Sequence, residues 1–159
     1  MTEPDPKTAG AIVGDSPAVA RTRSRRGRAA ATTSPLAGAR RDVLVVLLIP
    51  SVERDGRTPV DQAHWVYEAL AMFGRVYGRA IAMGPLLRVW RDDEHRGAHV
   101  IDHPVAIHCY TTRSEIRDEY KLARLGGFCR RLGYETRQGE VSLVIDNHYF
   151  AITDFEDAR

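Results

Sequence analysis

Imidazole, phenol and carboxylate side chains that alternate with apolar ones are the residues of this chain best suited to do chemistry. Pro104-Val-Ala-Ile-His-Cys-Tyr110 reads as a strand, and strand side chains point to opposite faces in turn. With Val105, Ile107 and Cys109 turned inward, His108 and Tyr110 share the outward face with Ala106. The same parity along Glu140-Val-Ser-Leu-Val-Ile-Asp146 turns Val141, Leu143 and Ile145 inward and leaves Glu140, Ser142, Val144 and Asp146 outside. His108, Tyr110 and Glu140 on one concave surface would suit general acid-base work on a small substrate. The plainer expectation for this face, with Ser142 and Asp146 on it, is a dimer interface or a ligand pocket without catalysis.

A second candidate is Trp90-Arg-Asp-Asp93, read as a ligand clamp or as a charged turn anchored by an aromatic ring. Trp90 and Arg91 therefore join the binding candidates. Asp92 and Asp93 diverge in extended backbone, which argues against a dyad sharing one proton. The chain has six histidines, and His95, His99 and His103 are spaced by four, but Gly97 and Pro104 place them in a turn leading to a strand. With no cysteine or carboxylate at a zinc-ligand spacing, no metal is expected. Glycine-rich phosphate loops are absent, so no nucleotide cofactor is expected either. Tyr110 beside Glu140 and Asp146 makes a poor stacking platform for RNA.

The elements that must position these groups follow from periodicity. Val43-Leu-Val-Val-Leu-Leu-Ile49 is apolar throughout and rich in β-branched residues, which indicates a strand at the sheet centre buried on both faces. Pro50 ends it. Thr58-Pro-Val-Asp61 reads as a helix start with Thr58 as N-cap, and Val66, Leu70, Phe73 and Tyr77 mark the buried stripe before Gly78. Ile81 to Trp90 is a second strand candidate interrupted by Gly84-Pro85, and 91–97 a charged turn. After the strand at 104–110, Thr112 with Glu115 forms a capping box for a second helix. Its stripe is Leu122, Leu125, Cys129 and Leu132, its stop Gly133, and Gly126-Gly127 predicts a kink or a close approach to the sheet. The strand at 141–145 then returns through Asp146-Asn147-His148 into Tyr149-Phe-Ala-Ile152. The order β-α-β-β-α-β-β predicts a ferredoxin-like α+β sandwich, an antiparallel sheet with two helices on one face.

With 159 residues and 43% hydrophobic content, the chain can bury one core without disulfides. Cys109 and Cys129 fit buried, reduced thiols. No apolar run reaches the roughly 20 residues of a membrane span, and the N-terminus lacks a signal-peptide stretch, so a cytoplasmic protein without membrane contact is expected. Residues 1–40 carry seven basic and three acidic side chains, a charge of +4, and no aromatic residue, while residues 41–159 carry −2. The division expected is a disordered basic tail, 1–40, dispensable for stability, and a single domain, 41–159. Arg21, Arg23, Arg25, Arg26 and Arg28 could bind nucleic acid weakly through phosphate charge. The plainer expectations are a solvated tail or an upstream extension from a misassigned start codon.

The strand ending in Pro50, the Asp55-Gly56 loop before the Trp65 helix, Val89-Trp-Arg-Asp-Asp93, and Gln138-Gly-Glu-Val-Ser-Leu-Val-Ile-Asp146 with Tyr149 together resemble a diffuse group of small bacterial proteins with ferredoxin-like folds. The resemblance spans residues 43–153. It implies an architecture and transfers no catalytic residue. A complete fold pattern with no complete motif favours a non-enzymatic binding or interaction module that self-associates as a homo-oligomer through the open sheet face. The alternatives are the acid-base enzyme built on His108, Tyr110 and Glu140, and nucleic-acid association through the arginine tail.

Overall fold

The computed structural model describes residues 40–92 and 97–155. The basic tail with its five clustered arginines, and His95 and Asp93 of the charged turn, lie outside the described residues.

The apolar run at 43–49 forms β1 (Val43–Ile49) at the middle of the sheet. It pairs antiparallel with β5 (Val105–Thr111) on one side and β6 (Val141–Ile145) on the other. Short β2 (Ile81–Met83) flanks β5, and β7 (His148–Ile152) flanks β6, giving the order β2-β5-β1-β6-β7. Helix α1 (Gln62–Tyr77) links β1 to β2, and α2 (Glu119–Glu135) links β5 to β6. This is the expected α+β sandwich, with β7 as an extra edge strand. No helix among the described residues is long and apolar enough to cross a membrane.

The core lies between the sheet and the helices. Val45, Leu47, Ile49, Ile107, Cys109, Val141 and Leu143 pack there against Trp65, Ala69, Phe73, Leu125, Phe128, Cys129 and Leu132. Each large side chain buried this way contributes about 1.5–3 kcal/mol. The other sheet face is less covered than expected: Leu44, Val46 and Leu48 of β1 are only half-buried. Around them Ile81, Met83 and Tyr110 stand half exposed.

The expected second strand does not run from Ile81 to Trp90. It stops at Gly84, whose φ of +141° and close passage by the Pro104 carbonyl leave no room for a Cβ. Pro85 has no N–H to continue the ladder. The chain beyond is released to form a separate hairpin, β3 (Arg88–Asp92) with β4 (Ala98–Asp102), so Arg91 and His99 sit opposite each other in a ribbon and not in a turn.

The helices also start later than the sequence signals suggest. Thr58 belongs to a tight turn in which the Asp55 carboxylate accepts from the backbone N–H of Arg57 and Thr58, both at 2.8 Å. The hydroxyl and backbone bonds from Thr58 hold the Asp55 carboxyl down at about 2. Asp61 caps α1 instead, accepting from His64 N at 3.1 Å. The buried stripe is Trp65, Ala69, Met72, Phe73 and Tyr77, with Val66 and Leu70 at its margin. The rotation brings the Trp65 ring edge-on to Phe128 of α2 at 5.9 Å. Thr112 and Glu115 do make reciprocal capping bonds, at 3.2 and 3.3 Å, but these close a short 3-10 turn (Glu115–Arg117), and Asp118 caps α2. Leu122 stays exposed, and Phe128 takes its place in the stripe.

Gly127 faces open space, and a Cβ at Gly126 would only touch the Arg130 side chain at 3.6 Å, so neither glycine serves a close approach to the sheet. Gly133 does not stop α2. It is buried within the helix, where a Cβ would stand 2.1 Å from the Phe155 ring.

Candidate functional site

A cavity of about 550 Å³ opens where the β3–β4 hairpin meets the start of β6, within the size range of small-molecule sites. Three segments line it. The hairpin contributes Arg88, Val89, Trp90 and Arg91, the α2–β6 loop contributes Gln138, Gly139 and Glu140, and Ser142, Tyr149 and Arg54 complete the wall.

Long-range hydrogen bonds hold these segments in place. Gln138 Nε2 donates to the carbonyls of Val52 and Thr136, both at 2.9 Å, tying the loop after α2 to the loop after β1. The backbone N–H of Gln138 donates to the Gly133 carbonyl at 2.9 Å, and that of Arg54 to the Arg137 carbonyl at 3.3 Å. Gly139 passes so close to Arg54 that a Cβ would lie 3.1 Å from Nε.

Asp102, at the end of β4, is 1% exposed. Its Oδ1 accepts from the backbone N–H of Ser51 at 3.0 Å and from the Ser51 hydroxyl. Its Oδ2 accepts from Arg88 Nη2. Arg88 Nη1 donates to Ser142 Oγ at 3.2 Å. Ser142 Oγ lies 2.9 Å from the Tyr149 hydroxyl, which donates to Glu140 Oε1. An unbroken chain of bonds therefore runs from Ser51 through Asp102, Arg88, Ser142 and Tyr149 to Glu140. Register explains its last links: Ser142 and Val144 share the open face of β6, and Tyr149 stands opposite Val144. Burial, and then the Glu140 hydrogen bond, push the Tyr149 phenol above its ordinary value, so it is held as a neutral donor to the carboxylate.

Of the residues singled out in the sequence, Trp90, Arg91, Ser142 and Glu140 come together here. His108, Tyr110 and Asp146 do not. His108 lies on the predicted face, but β1 separates it from β6, with His108 opposite Val46 and Val46 opposite Val144. Two strand spacings and four residues of rise put it roughly 16 Å from Glu140. Its Nδ1 is buried without a partner among the described residues, and its cross-strand neighbours are Val46 and Ile81. Tyr110 is one row further away, opposite Leu44. Asp146 sits in the β6–β7 turn at the far end of the strand, with φ of +56° and Arg113 at 3.9 Å. An acid-base triad of His108, Tyr110 and Glu140 is therefore excluded by the distance between its members.

Nothing in the sequence pattern marks Arg54, Arg88 or Gln138 as site residues, Asp102 is not among the candidates either, and Tyr149 enters only as a marker of the fold. One signal points to Asp102: it is a polar residue directly after the apolar pair Val100-Ile101, and such a residue needs partners when buried. Among the described residues no cluster of three or more metal-ligating side chains occurs. Burial pushes the Cys109 thiol up to about 11 and the Cys129 thiol to about 12, so both are poor nucleophiles.

No family model and no curated protein matches the chain. Two solved structures share its fold. One is a phage SAM lyase in complex with S-methyl-5'-thioadenosine, with a TM-score of 0.56 at 13% identity, covering 76% of this chain and 97% of that one. The other is a phage SAM lyase in the apo state, with a TM-score of 0.50 at 15% identity, covering 74% of this chain and 97% of that one. These matches correct the expectation of a non-enzymatic interaction module, because the architecture is that of an enzyme in both.

Proposed function

We propose that this chain is an enzyme that breaks a carbon–sulfur bond of S-adenosylmethionine, with the cleft between the hairpin and β6 as its active site. The observation that carries the proposal is the residue set of the cleft: aromatic rings, a carboxylate and three arginines line one cavity of about 550 Å³, on a fold shared along 97% of a phage SAM lyase. Trp90 and Tyr149 offer ring faces for an adenine base. Glu140 supplies a negative charge for a sulfonium cation. The arginines supply donors for the carboxylate of the amino-acid arm.

Cleavage of the bond between sulfur and the amino-acid arm leaves the electron pair on sulfur, and the sulfonium becomes the neutral thioether S-methyl-5'-thioadenosine. The arm then either loses a proton from the adjacent carbon or closes through its own carboxylate. In the first case Glu140 takes the proton. In the second its role is to place the sulfonium. Neither route requires an oxidant, a reductant or a second substrate.

The test is incubation of the full chain with S-adenosylmethionine and mass-spectrometric detection of products. S-methyl-5'-thioadenosine should accumulate in proportion to enzyme and above the spontaneous background. The second product has the same mass by either route, so its proton NMR spectrum reports which one the arm takes: vinyl protons for proton loss, a ring ester for closure. Formation at the rate of the protein-free control would refute the proposal.

A further inference from the structure

Arg88 has partners that tie the hairpin to the sheet. Nη2 donates to Asp102 at 2.5 Å and Nη1 to Ser142 at 3.2 Å. A guanidinium has five N–H donors, so these two bonds leave most of its capacity unused. Nε is buried with no partner among the described residues. A buried donor left unanswered is destabilising.

Asp102 has no surface of its own in the cavity. It is 1% exposed, whereas the Arg88 side chain is 25% exposed. The aspartate thus acts on the cavity through the arginine. Its other oxygen is fixed by Ser51 from the loop after β1, and Ser51 Oγ in turn accepts from the backbone N–H of His103 at 3.0 Å. A carboxylate gripped on one side by the sheet's own loop is a rigid stop for a guanidinium on the other side. Arg54 and Arg91 also line the cavity, with Glu140 as the acidic side chain among its lining residues.

Building on the function proposed above, we infer that Arg88 receives the carboxylate of the ligand's amino-acid arm and that Asp102 is the positioning residue that holds it for that contact. The remaining Nη N–H groups of Arg88 meet a ligand carboxylate from a fixed orientation, so little rotamer freedom is lost on binding. The consequence is selective. A ligand with the amino-acid arm depends on Asp102, and one without it does not.

Two ligands of the full chain separate the cases. S-adenosylhomocysteine carries the arm and is not a sulfonium, so it is not a substrate for the cleavage. S-methyl-5'-thioadenosine lacks the arm. By calorimetric titration, Asp102→Asn should weaken S-adenosylhomocysteine by about tenfold, the worth of one charge-assisted hydrogen bond, and leave S-methyl-5'-thioadenosine within twofold. Arg88→Gln should reproduce this pattern, and it decides the matter alone if thermal melting shows Asp102→Asn to be unfolded. Equal weakening of both ligands, or of neither, overturns the inference while leaving the proposed function standing. If the unaltered chain binds neither ligand, the proposed function falls and the inference falls with it.

Discussion

Two regions of the same sheet face present polar groups, and they differ in what surrounds them. At the centre of the face, His108 and Tyr110 stand among Val46, Leu44 and Ile81, and the buried Nδ1 of His108 has no partner among the described residues. At the start of β6, Ser142 and Tyr149 belong to a chain of bonds that crosses from the hairpin to the α2–β6 loop. A flat strand face presents side chains in rows but gives them no wall. The cleft exists because a hairpin inserted after Gly84 and two loops rise beside the sheet and are tied to it by Asp102 and Gln138. Convergence of polar groups here is a property of the connections, and the central strands only supply the floor.

The widest difference between the regions is expected in turnover. Glu140→Gln should lower the rate of S-adenosylmethionine cleavage by about a hundredfold, the usual scale for removing a general base or an ion-binding carboxylate. His108→Ala should leave the rate within twofold, measured in the same assay. A reversal of the two results would move the site to the centre of the sheet.

Stability should separate them next. Gly133→Ala places a Cβ against the Phe155 ring and strains the turn that carries Gln138, at a cost of about 1–3 kcal/mol. Gln138→Ala removes two bonds to backbone carbonyls and should cost about 1–2 kcal/mol. Tyr110→Ala, at a half-exposed position in the centre of the face, should change stability by only about 0.5 kcal/mol. Chemical denaturation of the three variants checks the order. Outside both regions, Gly127→Ala fills open space within α2 and should stabilise by about 0.5–1 kcal/mol.

The smallest effect is the one on pH. The Tyr149 phenol, raised by burial and by Glu140, keeps its proton through its ordinary value of 10.0. The alkaline limb of the turnover profile should therefore lie above pH 10 and disappear in Tyr149→Phe. A limb centred below pH 10 that persists in that variant would show that another group sets it.

The sequence carries the sandwich far better than the cleft, and the reason is range. The continuous apolar run of 43–49, the alternation in 141–145, and the reciprocal Thr112–Glu115 caps depend on neighbours within a few residues, so they can be read directly. Even there, the first half of the α1 stripe is displaced by one position, Trp65 and Ala69 in place of Val66 and Leu70, while Phe73 and Tyr77 keep theirs; Trp65 answers to Phe128 on another helix. The cleft depends on Asp102 meeting Ser51 across 51 residues and Gln138 meeting Val52 across 86. No periodicity encodes such pairings. Glu140 and Ser142 are legible from strand parity, and Trp90 and Arg91 from an aromatic ring beside a charged run, whereas Arg88 and Arg54 read as ordinary surface charge in an arginine-rich chain. Parity correctly placed His108 and Tyr110 on the face of Ser142, but parity says nothing of distance across strands.

The most direct test of the cleft as the site is amide and indole chemical-shift mapping of the isotope-labelled chain titrated with S-methyl-5'-thioadenosine. The account predicts saturable shifts at the Trp90 indole and at the amides of Gly139, Glu140, Ser142 and Tyr149, with those of His108 and Tyr110 unmoved. Shifts centred on His108 and Tyr110, with Trp90 and Gly139 unchanged, would contradict it.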